Sequence, residues 1–334
     1  MTGISKQTVA FTRDAANVFF HILTRCNLRC RHCYINPEAH GTETLPLRTI
    51  ERWLRVLAKK SRKANVVFLG GEPTLHPDLP DAVRLARRLG FSSITVDTNG
   101  YLFHDFLGRV SPEEVDVVSF SLDGPTAETN DPIRGAGSYR QCLKGIRQAV
   151  DRGFSTSLIY TVSRENLTGL EGMPSLVESL GVQRFFIQVI GIRGKPAGGG
   201  EKDLQVSRRQ WLETVPRVAE DIAGRGIVVN YPKVYLDPGE PFACAGLVAD
   251  NYFVFPNGRV YRCPLCEDHP LHSLQMVNDR MVPVTGITEV DLFPLQIPEG
   301  CVMNRLIQPD NIVYRPDGGC EHRIACCLLK EQLG

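Results

Sequence analysis

The feature that most constrains this chain is a repeated alternation of short apolar runs with amphipathic stretches between Asn17 and Ile190. The runs are Val18–Leu23, Val66–Leu69, Ser93–Val96, Val115–Ser121, Thr156–Thr161 and Arg184–Ile190. Each is short and rich in β-branched or aromatic residues, as strands buried on both faces are. The stretches between them carry helical spacing. Leu47, Ile50, Trp53, Leu54 and Leu57 share one face, and Ala82, Leu85, Ala86 and Leu89 share another ahead of Gly90. Strand–helix repetition of this kind predicts an α/β fold, a parallel sheet with helices outside it. Six such units fit an open, partial (βα)6 barrel better than a closed eight-unit one, which takes about 250 residues.

In such folds the chemistry sits at the C-terminal ends of the strands. Four polar motifs fall there: the cysteine run after the first strand, Gly70–Pro73 after the second, Thr98–Gly100 after the third and Ser121–Gly124 after the fourth. Past Ile190 the pattern changes. Gly191–Gly200 reads as a flexible crossing, followed by a helix from Ser207 to Ala223 that Pro216 interrupts. Short strands and turns come next, including a hairpin of Tyr252–Phe255 and Val260–Arg262 around Pro256-Asn257-Gly258. The expected division is a barrel over 1–200, a connecting helical region over 201–229 and a small cysteine-rich domain over 230–334.

Charge narrows the partners. The 38 basic and 37 acidic residues are interspersed for a net charge of +1, so no block argues for nucleic acid or membrane. Met1–Ala10 lacks the apolar core of a signal peptide, and no apolar run is long enough to span a bilayer. A cytoplasmic protein is expected. Eleven cysteines in such a compartment point to metal or redox work rather than disulfides. Three lie within Cys26–Cys33 and seven follow residue 243; Cys142, alone on the apolar face of a helix, reads as core.

Cys26, Cys30 and Cys33 form C-x3-C-x2-C. Three thiolates cannot complete a four-iron cluster, and the iron left open is where a substrate can bind metal directly. The alternative is zinc, with a fourth ligand from His32, His40 or a distant residue. Around this run, Gly70-Gly71-Glu72-Pro73 offers bare backbone and a carboxylate. Ser121 and Asp123 share a strand-end face, Arg134 can grip a carboxylate in a bidentate fork, and Asn99 is a further polar contact.

Together, C-x3-C-x2-C on the first strand-to-helix loop, GGEP, SLDGP at Ser121–Pro125 and Asp131–Gly135 resemble the radical S-adenosylmethionine (radical SAM) superfamily through Ile190. The resemblance implies a [4Fe-4S] cluster on Cys26, Cys30 and Cys33, with His32 where the family tolerates an aromatic ring. It implies S-adenosylmethionine held by Gly70, Gly71, Glu72, Pro73, Asn99, Ser121, Asp123 and Arg134, with Glu72 on the amino group. It also implies reductive cleavage of that cofactor to a 5′-deoxyadenosyl radical that abstracts hydrogen from a substrate, and an electron donor such as flavodoxin or ferredoxin.

From Cys244 to Cys263 the spacing is C-x13-G-x4-C with Gly258 in the hairpin turn, similar to the auxiliary-cluster regions called SPASM and twitch. The resemblance implies an auxiliary iron–sulfur cluster with ligands among Cys244, Cys263, Cys266, Cys301, Cys320 and Cys326. The sequence departs from the SPASM pattern where Asp317 and Lys330 stand at cysteine positions and Cys327 has no counterpart. In the resembling families many members mature peptides or proteins, which is the first expectation for the substrate. The second is a small molecule of cofactor biosynthesis, such as a tetrapyrrole. The 25 residues before Cys26 are too few for a fused leader-binding domain and weaken the peptide reading. A non-enzymatic zinc protein would leave GGEP and SLDG unexplained. Tyr160, Gln188, Arg193 and Lys195 are candidates for the substrate pocket.

Overall fold

A computed structural model describes residues 4–198, 204–237, 239–307 and 311–334, so the glycine-rich crossing is outside the description from Gly199 onward. The first strand, β1 (Lys6–Val9), precedes the repeating series. All six expected strands form: β2 (Ala16–Leu23), β3 (Ala64–Gly70), β4 (Ser93–Thr98), β5 (Val117–Ser121), β6 (Thr156–Val162) and β7 (Arg184–Val189). They pair in sequence order, each parallel to the next. A seventh parallel strand, β8 (Val228–Pro232), joins the edge of β7. The helix Arg208–Gly224 is therefore one more strand-to-strand crossover, where the sequence suggested only a connector. Pro216 does not interrupt it. The carbonyl freed four residues back belongs to exposed Leu212, where water can take the lost bond. A capping box between Ser207 and Gln210 fixes its start.

The rest of the chain extends the same sheet at both ends. After the short β9 (Tyr235–Leu236), β10 (Asp250–Val254) runs parallel to β2, and β11 (Arg259–Tyr261) folds back on it around Asn257-Gly258. Gly258 has φ +83°, as that turn requires. β12 (Leu274–Val277) and β13 (Arg280–Pro283) complete this edge. β14 (Arg323–Ile324) pairs with β9, and β15 (Lys330–Leu333) lies between β8 and β1. The cysteine-rich segment thus shares the barrel's sheet. It keeps a core of its own, built on Phe242, Phe253, Phe255, Tyr261, Leu265 and Met303.

Alternation within the parallel strands separates two faces. Ile94, Val96, Phe68 and Phe120 are buried under the helices through Leu54, Ala82, Ala86 and Ile146. The inner face carries Asn65, Val67, Thr95, Asp97, Ser121 and Ile159, all half-buried. Asparagines cross its lower part as a ladder: Asn65 donates to Asn17 (3.0 Å) and Asn17 to Asn251 (3.1 Å). Among the described residues no helix is long and apolar enough to cross a membrane.

An aromatic stack locks the β2–β10 junction. Phe255 lies between the rings of His21 and His40, each centroid 4.0 Å away. The His21 Nδ1–H donates to the Val254 carbonyl (3.0 Å), which leaves Nε2 to accept from the Tyr34 hydroxyl (2.8 Å). Burial pushes His21 down to about 3, with His40 adding to it, and burial pushes His40 down to about 4. Both rings are neutral when folded and take a proton near pH 6.5 when unfolded. Their contribution is therefore complete above pH 6.5 and is lost as pH falls toward 4. We expect the metal-free chain to lose roughly 2 kcal/mol per histidine between pH 7.5 and 5 by denaturant titration, and His40→Phe to make that loss shallower.

Candidate active site

The loop after β2 is fastened to the end of β3 by two backbone bonds. Gly71 N donates to Leu23 O and Glu72 N to Arg25 O, both at 3.0 Å. No side chain fits there. A Cβ on Gly70 would stand 2.0 Å from Leu23 O, and one on Gly71 2.1 Å from Arg25 O. The bare backbone of these glycines admits the cysteine loop.

Glu72 is fully buried and already occupied. Its Oε1 accepts from Thr74 N (3.1 Å), Thr74 Oγ1 (2.6 Å) and Thr98 Oγ1 (2.8 Å), while Oε2 accepts from Asn99 N (2.7 Å). Burial raises its pKa against the pull of these bonds. In this arrangement the carboxylate clamps β3 to β4. Pro73, buried, opens the single turn that aims Thr74 back at it. Asn99 then reaches the cysteine loop, its Nδ2 2.8 Å from Asn27 Oδ1 and 3.8 Å from Cys26 Sγ.

Cys26, Cys30 and Cys33 are free, half-buried thiols. Burial raises Cys26 to about 11, and Glu72, Cys30 and Cys33 add to the shift. Cys30 is raised by burial too, while nearby Arg134 opposes the rise. Thiols so placed ionise only beside a cation, as iron would be. The loop is held on its other side by Arg31 N on Ile133 O (2.9 Å), Lys195 N on Cys33 O (3.0 Å) and Lys195 Nζ on Cys30 O (3.0 Å).

Asp123 and Arg134 make a buried ion pair at 2.5 Å, and His32 Nε2 stands 3.3 Å from the same carboxylate oxygen. The other oxygen accepts from Thr161 N at 2.8 Å. The contact combines opposite charge with a side-chain hydrogen bond, and both favour the charged guanidinium. Burial alone would lower the pKa of Arg134, but Asp123 and Cys30 outweigh it. Ser121, half-buried, closes this rim at the end of β5. The structure thus gathers His32, Asn99, Ser121, Asp123 and Arg134 around three thiols. That set fits an iron–sulfur cluster and a zwitterionic ligand beside it.

The second group of cysteines lines one cavity. Cys244, Cys263, Cys266, Cys301 and Cys326 are there, and so is Cys327, which no sequence pattern assigned. Cys320 is not. It pairs with Tyr314 in an outer turn, and Asp317 is an exposed residue of that turn, bonded to Gly319 N at 2.8 Å. Burial raises Cys244 to about 12, with Cys326 and Cys263 contributing, so these thiols sense one another. Lys330 is lowered by burial against the pull of Cys327 and Cys326, which puts it beside them. Glu289, buried, accepts from Arg262 N (2.6 Å), Cys263 N (2.9 Å) and Ser273 Oγ (2.8 Å) and shapes the turn.

A strap after β7 joins the two groups. Arg193 donates to Pro264 O (2.6 Å) and Glu267 Oε2 (2.9 Å) and covers the Tyr34 ring at 4.7 Å. Gly194 N donates to Asp268 Oδ2 at 2.6 Å. Of the four substrate candidates, then, Arg193 and Lys195 are bridge residues. Tyr160 is core, its hydroxyl donating to Asn166 O at 2.6 Å, and Gln188 is exposed with no bridging role among the described residues. Sequence reasoning missed Asp97, which shares the inner face of β4 with Thr95; the period-two alternation was the available signal.

A cluster-and-cofactor rim on an open parallel barrel defines the class of protein. The sequence model of the Radical SAM superfamily matches residues 20–173, so these residues form a radical SAM domain. The family uses a [4Fe-4S] cluster and S-adenosylmethionine, and its members are enzymes. The pre-heme d1 synthase of Dinoroseobacter shibae is 31% identical over 214 residues, covering 63% of this chain and 52% of that protein. The chain thus spans about half the length of that relative. A probable GTP 3′,8-cyclase of Saccharolobus solfataricus is 25% identical over 282 residues, covering 80% of this chain and 88% of its own. Among solved structures, SuiB of Streptococcus suis bound to S-adenosylmethionine shares the fold with TM-score 0.59 at 16% identity, over 76% of this chain and 61% of that one.

The clamp gives a test. Glu72→Ala strands several buried donors and should lower the stability of the metal-free chain by about 2 kcal/mol or more in a denaturant titration, whereas Lys144→Ala, at an exposed helix position, should change it little.

Proposed function

We propose that this chain cleaves S-adenosylmethionine reductively and removes a hydrogen atom from a small nitrogen-heterocyclic substrate. The observation that carries the chemistry is the rim: three half-buried thiols on a loop fastened at both ends, facing the buried Asp123–Arg134 pair. Cys26, Cys30 and Cys33 would hold the cluster, with the fourth iron uncovered. Bound there, cluster and cofactor supply reductive carbon–sulfur cleavage and hydrogen abstraction. Asp123 fixes the Nε edge of Arg134, which leaves the terminal nitrogens for the cofactor's carboxylate. Glu72 acts as a positioning residue, holding Asn99 and the loop rather than touching the amine. His32 and Ser121 flank the same space, and Gly70, Gly71 and Pro73 set the backbone around it.

The sequence relatives support the substrate class. Their names concern a haem-type tetrapyrrole and GTP, both nitrogen heterocycles, whereas the likeness to SuiB rests on fold. This favours the small-molecule expectation over the peptide one. On this reading residues 230–334 are an auxiliary module. Its cluster would be bound within the cavity of Cys244, Cys263, Cys266, Cys301, Cys326 and Cys327, with Cys320 outside the set. An electron carrier of the flavodoxin or ferredoxin kind would feed the enzyme in the cytoplasm.

The anaerobically reconstituted, reduced protein should form 5′-deoxyadenosine from S-adenosylmethionine, and Cys30→Ala should abolish it. GTP or metal-free coproporphyrin III should raise that yield; stimulation only by peptides would reverse the substrate assignment. With Cys26, Cys30 and Cys33 all changed to Ala, about four irons per chain should remain, the content of one auxiliary cluster. A folded chain without iron would remove that cluster from the scheme.

A further inference from the structure

We propose that Asp97 anchors a substrate site on the inner face of the barrel, accepting a cationic or paired N–H group such as an amidine- or guanine-like edge. Asp97 ends the inward row of β4, level with Ser119 on β5, which in turn is level with Ser157 on β6. Val96 and Thr98, on either side of it, are buried under the helices, whereas Asp97 is half-buried on the inner face. The cysteine rim is near. Glu72 and Tyr34 both lie close enough for Asp97 to be felt electrostatically.

What singles Asp97 out is the absence of a fixed counterpart. The other buried carboxylates around the rim are each satisfied from within the chain. Glu72 has four donors, Asp123 has Arg134, Glu267 has Arg193 and Glu289 has three donors. Among the described residues Asp97 has the Ser119 hydroxyl and no cation that contributes to its electrostatics. Burial, against Ser119 and with the Glu72 charge, raises it to about 7. A half-buried carboxyl on the inner strand face, kept costly by burial, suits a ligand that brings its own donors. A flat edge with two parallel N–H groups matches the two carboxylate oxygens. Thr95, Ser121 and Thr161 line the same face and can serve the ligand's other polar atoms.

The inference rests on the barrel interior being the substrate chamber, but its probe is independent of S-adenosylmethionine cleavage. Benzamidine, a planar amidinium, is titrated calorimetrically into the reconstituted full chain alongside neutral benzyl alcohol. The wild type should bind benzamidine saturably and at least roughly tenfold more tightly than benzyl alcohol, the effect of one charged contact. Asp97→Asn should erase that preference, with Asp97→Ser as a second variant and melting temperature reporting whether each is folded. No saturable binding by the wild type, no preference for the amidinium, or a preference that survives in a folded variant would each overturn the assignment. Failure to form 5′-deoxyadenosine would refute the radical SAM scheme instead, and benzamidine binding would still decide the role of Asp97.

Discussion

Everything at the rim depends on two amide hydrogen bonds, Gly71 N to Leu23 O and Glu72 N to Arg25 O. They bring the end of β3 against the start of the cysteine loop at a distance that excludes any Cβ. Backbone contact of this kind is stiffer than side-chain contact, because no rotamer can relax it. Glu72 carries the stiffness onward. Its carboxylate takes donors from the turn behind it and from Thr98 and Asn99 at the end of β4. Asn99 in turn touches Asn27 and Cys26. A closed circuit of loop, β3, β4 and loop again results, and the first thiol is fixed by strands rather than by its own flexible segment.

The two cysteine groups belong to one mechanical unit. β10 extends the barrel sheet beside β2, and the His21–Phe255–His40 stack fills the seam between them. The Arg193 strap adds a polar tie, with its guanidinium shared between Tyr34, which follows Cys33, and Glu267, which follows Cys266. Burial raises Glu267 to about 8 although Arg193 pulls it down, so the pair is formed at some cost in desolvation. Such a pair is weak support for stability. It does fix the distance between two thiol groups, which matters if electrons are to pass from one to the other.

The sequence made the barrel legible because its strands are apolar runs with clear ends, and all six formed where they were read. It made the first thiol group legible because those ligands are local, three on one loop. What it hid was set by partners distant in the chain. The donors that hold Glu72 are invisible in one dimension, because Thr98 and Asn99 come from the next strand. Cys320 kept the expected spacing yet turned outward, while Cys327 broke the spacing and faced the cavity. Pro216 marked a helix break that an exposed carbonyl made unnecessary. In each case local chemistry was read correctly and the tertiary neighbour decided its use.

The carboxylates show how one side-chain type is given different tasks by its neighbours. Desolvation disfavours charge at every one of them, and the compensation differs. Glu72 and Glu289 receive fixed amide and hydroxyl donors, which makes them structural and leaves little acceptor capacity for a ligand. Asp123 receives a cation at its Nε edge, so it orients Arg134 while leaving the terminal nitrogens to pair elsewhere. Asp97, half-buried, receives one hydroxyl and no cation among the described residues. Ordered by how completely the chain satisfies them, these acids run from scaffold, through positioning, to recognition. The least satisfied lies on the inner face of β4, within electrostatic reach of Glu72 and of Tyr34, the residue after Cys33.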